Sequence, residues 1–435
     1  MELTAFLTII AILVVLLACG LWIGPALFIT SWLAFSIFAD LPVDKILGVV
    51  VWNNANSGSL MALPLFIMMG ELLTRTRVSD NMFNGLAPWV ARLPGGLLHV
   101  NVIACALFAA ITGSVNATTA TVGKITIPEF RRRGYDESLS IGSLTSSGTL
   151  GILIPPSVPM LIYGVAANVS IGKLFLAGIV PGLILMLCFC CYIGVMAGRS
   201  AARGGHVRDE RRYTLAEKLR GLLGILPVVA LIACVLGGIY AGWATPTEAA
   251  AIGVFGAVLL GLCTGCLTFR LFWECVMGAV RTNCMVMLIL IGASFFSVTL
   301  GFLGLPKWIS ASIVSLGAGK YAVIALIIVV YLILGCLIDG YSMIVMTVPM
   351  FLPLVKEYGM DPLWYGIFVV LLVQVANITP PIGFNLFLVT GMAERSIGFI
   401  SRSVLPFIAI MVVFALLITV FPEIVLFVPN AASGR

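Results

Sequence analysis

Gly148-Thr-Leu-Gly-Ile-Leu-Ile-Pro-Pro-Ser157 lies inside an apolar run long enough to cross a bilayer, yet it carries two consecutive prolines. A proline has no N–H and displaces the helical bond to the carbonyl four residues back, so Pro155 and Pro156 release the carbonyls of Gly151 and Ile152. Bare backbone groups are costly in hydrocarbon, and such a break persists only where protein, water or an ion satisfies it. A second copy, Asn377-Ile-Thr-Pro-Pro-Ile-Gly383, puts Pro380 225 residues after Pro155. The same shift carries Pro128 to Pro353, Gly134 to Gly359, Asp136 to Asp361 and Pro181 to Pro406. One shift that matches this many helix breakers and turn residues is an internal repeat. Two copies of a broken membrane helix point to a secondary transporter with its site at the breaks.

Composition agrees. The 435 residues are 61% hydrophobic and only 10% charged, against about 25% charged in soluble domains. Roughly a dozen stretches approach the ~20 apolar residues a spanning helix needs, which predicts an all-α polytopic membrane protein with no soluble domain. The first stretch, 3–19, lacks a basic flank and a small-residue cleavage site and reads as a retained helix. The eleven cysteines sit in or beside apolar runs and read as packing residues. Cys263-x-x-Cys266 has no second Cys/His pair to complete a metal site. The net charge of +6 flanks membrane segments and implies no nucleic-acid partner.

Taken in order, 3–19 and 21–38 read as two helices, and 42–60 holds the polar run Trp52-Asn-Asn-Ala-Asn-Ser-Gly58. An apolar helix follows, and 80–96 reads as an interfacial amphipathic helix. Residues 97–130 form two short arms around the polar tip Thr112-Gly-Ser-Val-Asn-Ala-Thr-Thr119. Each arm falls short of the ~30 Å core, so the segment reads as a re-entrant hairpin. A broken crossing, 137–167, and a helix, 173–197, follow. Residues 199–220 form the most charged loop. The second half repeats the plan: helices 222–243 and 246–264, a basic stretch with Arg270 and Arg281, a helix 283–304 and an interfacial helix 307–317. A hairpin 320–355 then has its tip at Gly335-Cys-Leu-Ile-Asp-Gly-Tyr-Ser342, before a broken crossing 362–392 and a last helix 399–425. This divides the chain into scaffold helices (1–96 and 199–319) and two transport repeats (97–198 and 320–435). If the first hairpin enters from the cytoplasm, 17 of the 24 basic residues fall on cytoplasmic loops. The second hairpin then enters from the other side, and the repeat is inverted.

Unwound backbone with Ser, Thr and Asn supplies oxygens suited to hard cations. Two Na⁺ sites are expected. One is built from Ser114, Thr118, Gly148, Gly151 and Pro155; the other from Gly335, Asp339, Ser342, Ala376, Asn377 and Thr379. In the second, Pro380 is expected to leave the Ala376 carbonyl free. Half-helix N-termini at Ser157 and Ile382 suit a carboxylate, and Asn116 at the hairpin tip joins them as a substrate candidate. A simple kink competes at each Pro-Pro pair, and N-capping competes with cation binding at Asp339. Lys124 reads as snorkelling or pairing with Glu129, and Glu248 as a helix cap. His99 and His206 have no nucleophile or metal-ligand partner. No nucleotide-binding loop or catalytic set stands out, so neither ATP use nor enzymatic activity is expected.

The chain resembles the large membrane subunit (DctM-like) of TRAP transporters over nearly its whole length. The resemblance rests on Gly113-Ser-Val-Asn-Ala-Thr118, Ile154-Pro-Pro-Ser-Val-Pro-Met160, Tyr163-Gly-Val-Ala-Ala-Asn168, Ala177-Gly-Ile-Val-Pro-Gly182, Thr245-Pro-Thr-Glu-Ala249, Asp339-Gly340 and Ile378-Thr-Pro-Pro-Ile-Gly-Phe-Asn385. Asn385, closing the last motif, is a further substrate candidate. Thr121-Val-Gly-Lys124 departs from the small or apolar residues usual there. The resemblance implies a bacterial inner-membrane permease of a tripartite, Na⁺-coupled system with an elevator-type motion. A periplasmic binding protein delivers an organic acid, and a small four-helix membrane subunit (DctQ-like) assembles with this one; no fused copy of that subunit is expected here. The competing readings are a stand-alone ion or anion transporter of related inverted-repeat build, and a membrane enzyme.

Overall fold

The computed structural model describes residues 2–39, 41–76, 85–90, 93–202, 214–315, 317–336, 338–380 and 383–432. All regular structure among them is helical. Among the described residues, six helical spans are long and apolar enough to cross a membrane, and eight shorter apolar helices accompany them. The expected dozen full-length stretches therefore resolve into fewer long spans and several half-length ones.

The first hairpin has arms Leu97–Thr112 and Val115–Arg132. Its tip turns at Gly113, at φ +57°, where a Cβ would also stand 2.8 Å from the Pro156 carbonyl oxygen. Only glycine meets both conditions. The second hairpin has arms Lys320–Gly335 and Gly340–Glu357. The first broken helix runs Glu137–Gly148, Leu150–Leu153 and Val158–Ala167; the second runs Pro362–Ala376 and Phe384–Ala393. Asp136 and Asp361, related by the 225-residue shift, cap the two starts: the Leu139 and Leu363 amides donate to their carboxylates at 2.7 and 2.6 Å.

These four elements interlock across the repeat. Val115–Arg132 packs on Phe384–Ala393, and Gly340–Glu357 packs on Val158–Ala167. Each hairpin thus lays its second arm on the far half of the other repeat's broken helix. The Tyr163 hydroxyl donates to the Pro362 carbonyl at 2.5 Å, and the Asn385 amide donates to the Thr145 carbonyl at 2.7 Å.

Around this block lie Glu2–Ala18, Ile23–Phe38, Val43–Ala55, Ala62–Thr74, Leu215–Tyr240, Pro246–Cys263 and Phe269–Phe302. Ala62–Thr74 packs closely on Pro246–Cys263, where a Cβ on Gly253 would stand 2.5 Å from the Met69 sulfur. Close approach over small residues is the usual helix contact in lipid, where burial of apolar surface gives no drive.

Several expected boundaries move. The basic stretch and the helix 283–304 are one 34-residue helix, Phe269–Phe302. Arg270 pairs with Glu274 along its exposed side at 3.2 Å, and no proline interrupts it. The last helix stops at Val420, and Glu423–Ala432 follows as a separate helix after Pro422. The second interfacial helix is Leu305–Ser315; of the first, residues 85–90 are helical, and 80–84 with 91–92 lie outside the described residues. Residues 203–213 of the 199–220 loop, with His206, also lie outside them, and its two ends belong to helices Ile171–Ala202 and Leu215–Tyr240. All eleven cysteines are unbridged.

Candidate functional site

The first tip meets the first break directly. A Cβ on Gly148 would overlap the Thr119 hydroxyl, and one on Gly151 would stand 3.4 Å from the Ser114 carbonyl. Ser114 caps the second arm, and its carbonyl accepts from the Thr118 amide at 3.1 Å. Thr118 shares a 2.9 Å hydroxyl bond with Thr112. Ser114, Thr118, Gly148 and Gly151 therefore lie together, and Pro155 is buried one residue before the Pro156 carbonyl that Gly113 approaches. Asn116 is exposed at the tip. Ser157 caps Val158–Ala167, accepting from the Met160 amide, and its hydroxyl donates to the Ile152 carbonyl at 2.5 Å. This corrects the expectation that Pro156 leaves Ile152 bare: a side chain five residues on satisfies it.

The second break closes differently. A Cβ on Gly335 would overlap Ala376, and one on Gly340 would stand 3.2 Å from the Asn377 amide nitrogen. A cavity of about 60 Å³ lies here, lined by Gly335, Ile338, Gly340, Met343, Ala376, Asn377 and Phe384. The Ala376 carbonyl is not free, contrary to expectation: the Thr379 amide donates to it at 3.2 Å. The helix tightens into a three-residue turn at its end and so recovers the bond that Pro380 cannot make. The Thr379 hydroxyl donates to the Val375 carbonyl at 2.8 Å. Asp339 caps the second arm, accepting from the Tyr341 and Ser342 amides at 3.0 and 3.4 Å and from the Ser342 hydroxyl at 2.5 Å. Of the second set, then, Gly335, Ala376 and Asn377 share a cavity, while Asp339, Ser342 and Thr379 do not line it. Asn385 is buried beside Thr145 between the repeats, and its side-chain oxygen lacks a protein partner. Ile382 and Pro381 lie outside the described residues; the half-helix that follows them starts at Gly383 without a side-chain cap.

A further cavity of about 60 Å³ opens between the tips and the surrounding helices. Thr112, Ser114 and Val158 come from the first repeat, Tyr341 from the second tip, and Gly70, Glu71, Thr74 and Thr282 from helices Ala62–Thr74 and Phe269–Phe302. Sequence reading passed over Glu71, Thr74, Thr282 and Tyr341. Glu71 carried a signal, since an acid inside an apolar helix is usually functional. Its carboxylate accepts from Arg75 at 3.0 Å. Among the described residues no three His, Cys, Asp or Glu side chains converge. A cation held at either break would rest mainly on hydroxyl, amide and carbonyl oxygens, and Ser114, Thr118 and Asn377 are of the type that hard ions accept.

Other single residues resolve simply. Glu129 accepts from Arg132 and Arg133 at 2.6 and 2.7 Å, so it is not the partner of Lys124, which is exposed. Glu248 forms a capping box with Thr245. His99 is buried, with its ring Nε2 2.8 Å from the Pro94 carbonyl oxygen.

Two polar-tipped hairpins set against two broken helices, with flanking helices closing a polar seam, are the build of a secondary transporter. The chain belongs to one family of them: "Tripartite ATP-independent periplasmic transporter, DctM component" matches residues 10–424. The isethionate TRAP transporter permease protein DctMQ of Oleidesulfovibrio alaskensis is 35% identical over 89% of this chain and 60% of that relative. The C4-dicarboxylate TRAP transporter large permease protein DctM of Pseudomonas aeruginosa is 34% identical over 88% of this chain and 89% of its own. The ectoine/5-hydroxyectoine TRAP transporter large permease protein UehC of Ruegeria pomeroyi is 31% identical over the full length of both. The crystal structure of the Alcanivorax borkumensis YdaH transporter has the same fold, with a TM-score of 0.64 at 15% identity over 95% of this chain and 98% of that one.

Proposed function

We propose that the chain is the transport subunit of a Na⁺-driven, binding-protein-dependent importer of an organic acid in a bacterial inner membrane. The observation that carries this is the seam: both hairpin tips and two outer helices line one cavity, and each contributes polar side chains to it. A site shared between an interlocked block and its surroundings is what a sliding block needs, because movement of the block carries half of the site with it. On this reading 97–198 with 320–435 move, while 1–96 with 199–319 stay. The repeat is inverted on this reading, which the bias of basic residues supports. Na⁺ binds at each tip-and-break junction, on Ser114, Thr118 and Gly148 in one and on Gly335, Ala376 and Asn377 in the other, and neutralises an incoming carboxylate. The names of the relatives, which cite isethionate, C4-dicarboxylate and ectoine, support a small acidic or zwitterionic substrate. A periplasmic binding protein delivers it, and a small membrane subunit covers part of the outer helices.

The test is uptake into vesicles holding this chain, the small subunit and loaded binding protein. Uptake should follow an imposed Na⁺ gradient, and ATP should not replace it. Equal uptake with K⁺ or choline in place of Na⁺ would sink Na⁺ coupling. Uptake that persists without the binding protein would favour a stand-alone transporter.

A further inference from the structure

A cavity of about 270 Å³ lies away from the breaks. It lies at the base of the first hairpin, 17 residues along the second arm from Ser114, or ~25 Å at 1.5 Å per residue. Phe130, Ile127 and Ile141 give it apolar walls, and Arg131, Glu137 and Arg395 gather at it. Arg131 belongs to the first hairpin, Glu137 starts the first broken helix, and Arg395 lies in the turn after the second. Arg395 donates to Glu137 through Nε and Nη2 at 2.9 and 2.6 Å, and Arg131 Nη2 stands 3.8 Å from the same carboxylate. Arg131 also donates to the Ala393 carbonyl, and Arg395 lies over the Phe399 ring at 5.9 Å.

Two guanidiniums therefore converge on one carboxylate and leave a net positive charge. Each guanidinium has five N–H donors in a rigid fork. The two together use three of them in hydrogen bonds within the protein. Glu137 and Arg395 are about one-third and one-half exposed, so their pair is weak enough to open. We infer that this cavity binds an oxyanion, a carboxylate or phosphate group, which bridges Arg131 and Arg395 and competes with Glu137 for them. The apolar walls take whatever small body the group is attached to. The site is separate from the seam and does not depend on how the seam is read. Because Glu137 and Arg395 join the two repeats, occupancy loosens one tie between them.

The test uses the full chain purified in detergent, in Na⁺-free buffer. Thermal unfolding is followed against potassium succinate, potassium phosphate, and potassium chloride at matched ionic strength. A ligand of the folded state raises the midpoint saturably. The two oxyanions should do so and chloride should not. Arg131→Gln and Arg395→Gln should each weaken the apparent affinity about tenfold, the usual cost of losing a charged hydrogen-bond donor. Glu137→Gln should act in the opposite sense and tighten binding, because it removes the competitor. A purely structural ion pair would make all three variants unfold earlier without changing any anion response. A parallel series in nanodiscs of phosphatidylcholine, with or without phosphatidylglycerol, separates a lipid headgroup from a free anion. Stabilisation only by phosphatidylglycerol, lost in the arginine variants, assigns the site to a lipid. No saturable shift with either source, or shifts indifferent to Arg131, Arg395 and Glu137, overturns the proposal. If the arginine variants fail to fold, the sign of the Glu137→Gln response decides.

Discussion

The two breaks share a Pro-Pro pair and a 225-residue relation, yet they are closed by different chemistry. At the first, Ser157 is both a cap for the following half-helix and a donor to the Ile152 carbonyl. The break is satisfied from within and wholly buried around Leu150–Leu153. At the second, the position equivalent to Ser157 is Ile382, which has no hydroxyl to offer. The half-helix after it has no side-chain cap, and a cavity of about 60 Å³ adjoins the junction. The tips differ in the opposite sense: Ser114 caps the first with a neutral hydroxyl, Asp339 the second with a carboxylate. A repeat can thus conserve a break in the helix while redistributing the groups that satisfy it. The first junction is closed and buried, and the second keeps a cavity and a carboxylate-capped tip.

The largest effect should come from forcing tip and break apart. A side chain on Gly335 overlaps Ala376, and one on Gly148 overlaps Thr119. Overpacking a tight contact costs roughly 1–3 kcal/mol, and here it also displaces the groups proposed to hold the ion. Gly335→Val and Gly148→Val should each abolish Na⁺-driven uptake, with the Gly148 variant losing more thermal stability because its junction has no cavity to yield. Gly398→Val, which meets nothing within 4 Å, should keep most of its uptake. Full uptake by both junction variants would break the assignment of these contacts to the transport site.

The breaks were legible because two consecutive prolines are harder to keep in a helix than one, as Pro128 and Pro353 inside unbroken arms show, and because a shift of 225 residues repeated the pair. How each break is satisfied was not legible. Pro380 was expected to free the Ala376 carbonyl, but a tightened turn returns it to the Thr379 amide. Such a rearrangement depends on the local path of the chain, which residue types do not specify. Arg270 and Arg281 resemble loop residues in sequence, but one exposed side of the long helix Phe269–Phe302 accommodates them equally well. Glu71 escaped notice because its importance comes from Thr112, Ser114 and Thr282, which are distant in sequence and adjacent only in the fold.

A smaller effect separates ligand from scaffold at the second break. Thr379 and Thr149 each donate a hydroxyl to a backbone carbonyl, at 2.8 and 2.7 Å. Valine keeps the shape and removes that bond at both, so the two variants should lose similar stability, about 0.5–1.5 kcal/mol. Because Thr379 does not line the cavity and its hydroxyl is given to Val375, both variants should keep wild-type Na⁺ dependence. Titrating Na⁺ against uptake checks this. A weakening of about tenfold in Thr379→Val alone would add its oxygen to Asn377 and Ala376 among the ion's contacts.

The last contrast tests the self-sufficiency of the first break. Ser157→Ala removes the cap of Val158–Ala167 and leaves the buried Ile152 carbonyl without its donor. A lost N-cap costs about 1 kcal/mol, and an unsatisfied buried carbonyl adds a comparable amount. The variant should therefore unfold several degrees earlier while keeping its apparent Na⁺ affinity, since the hydroxyl is committed to the protein. Ser157→Thr keeps the hydroxyl and should recover most of the loss. The measurement is a thermal midpoint in detergent beside a Na⁺ titration of uptake. A change in Na⁺ affinity with little loss of stability would reverse the contrast: the Ser157 hydroxyl would then serve the ion, and the first break would be as dependent on its ligand as the second.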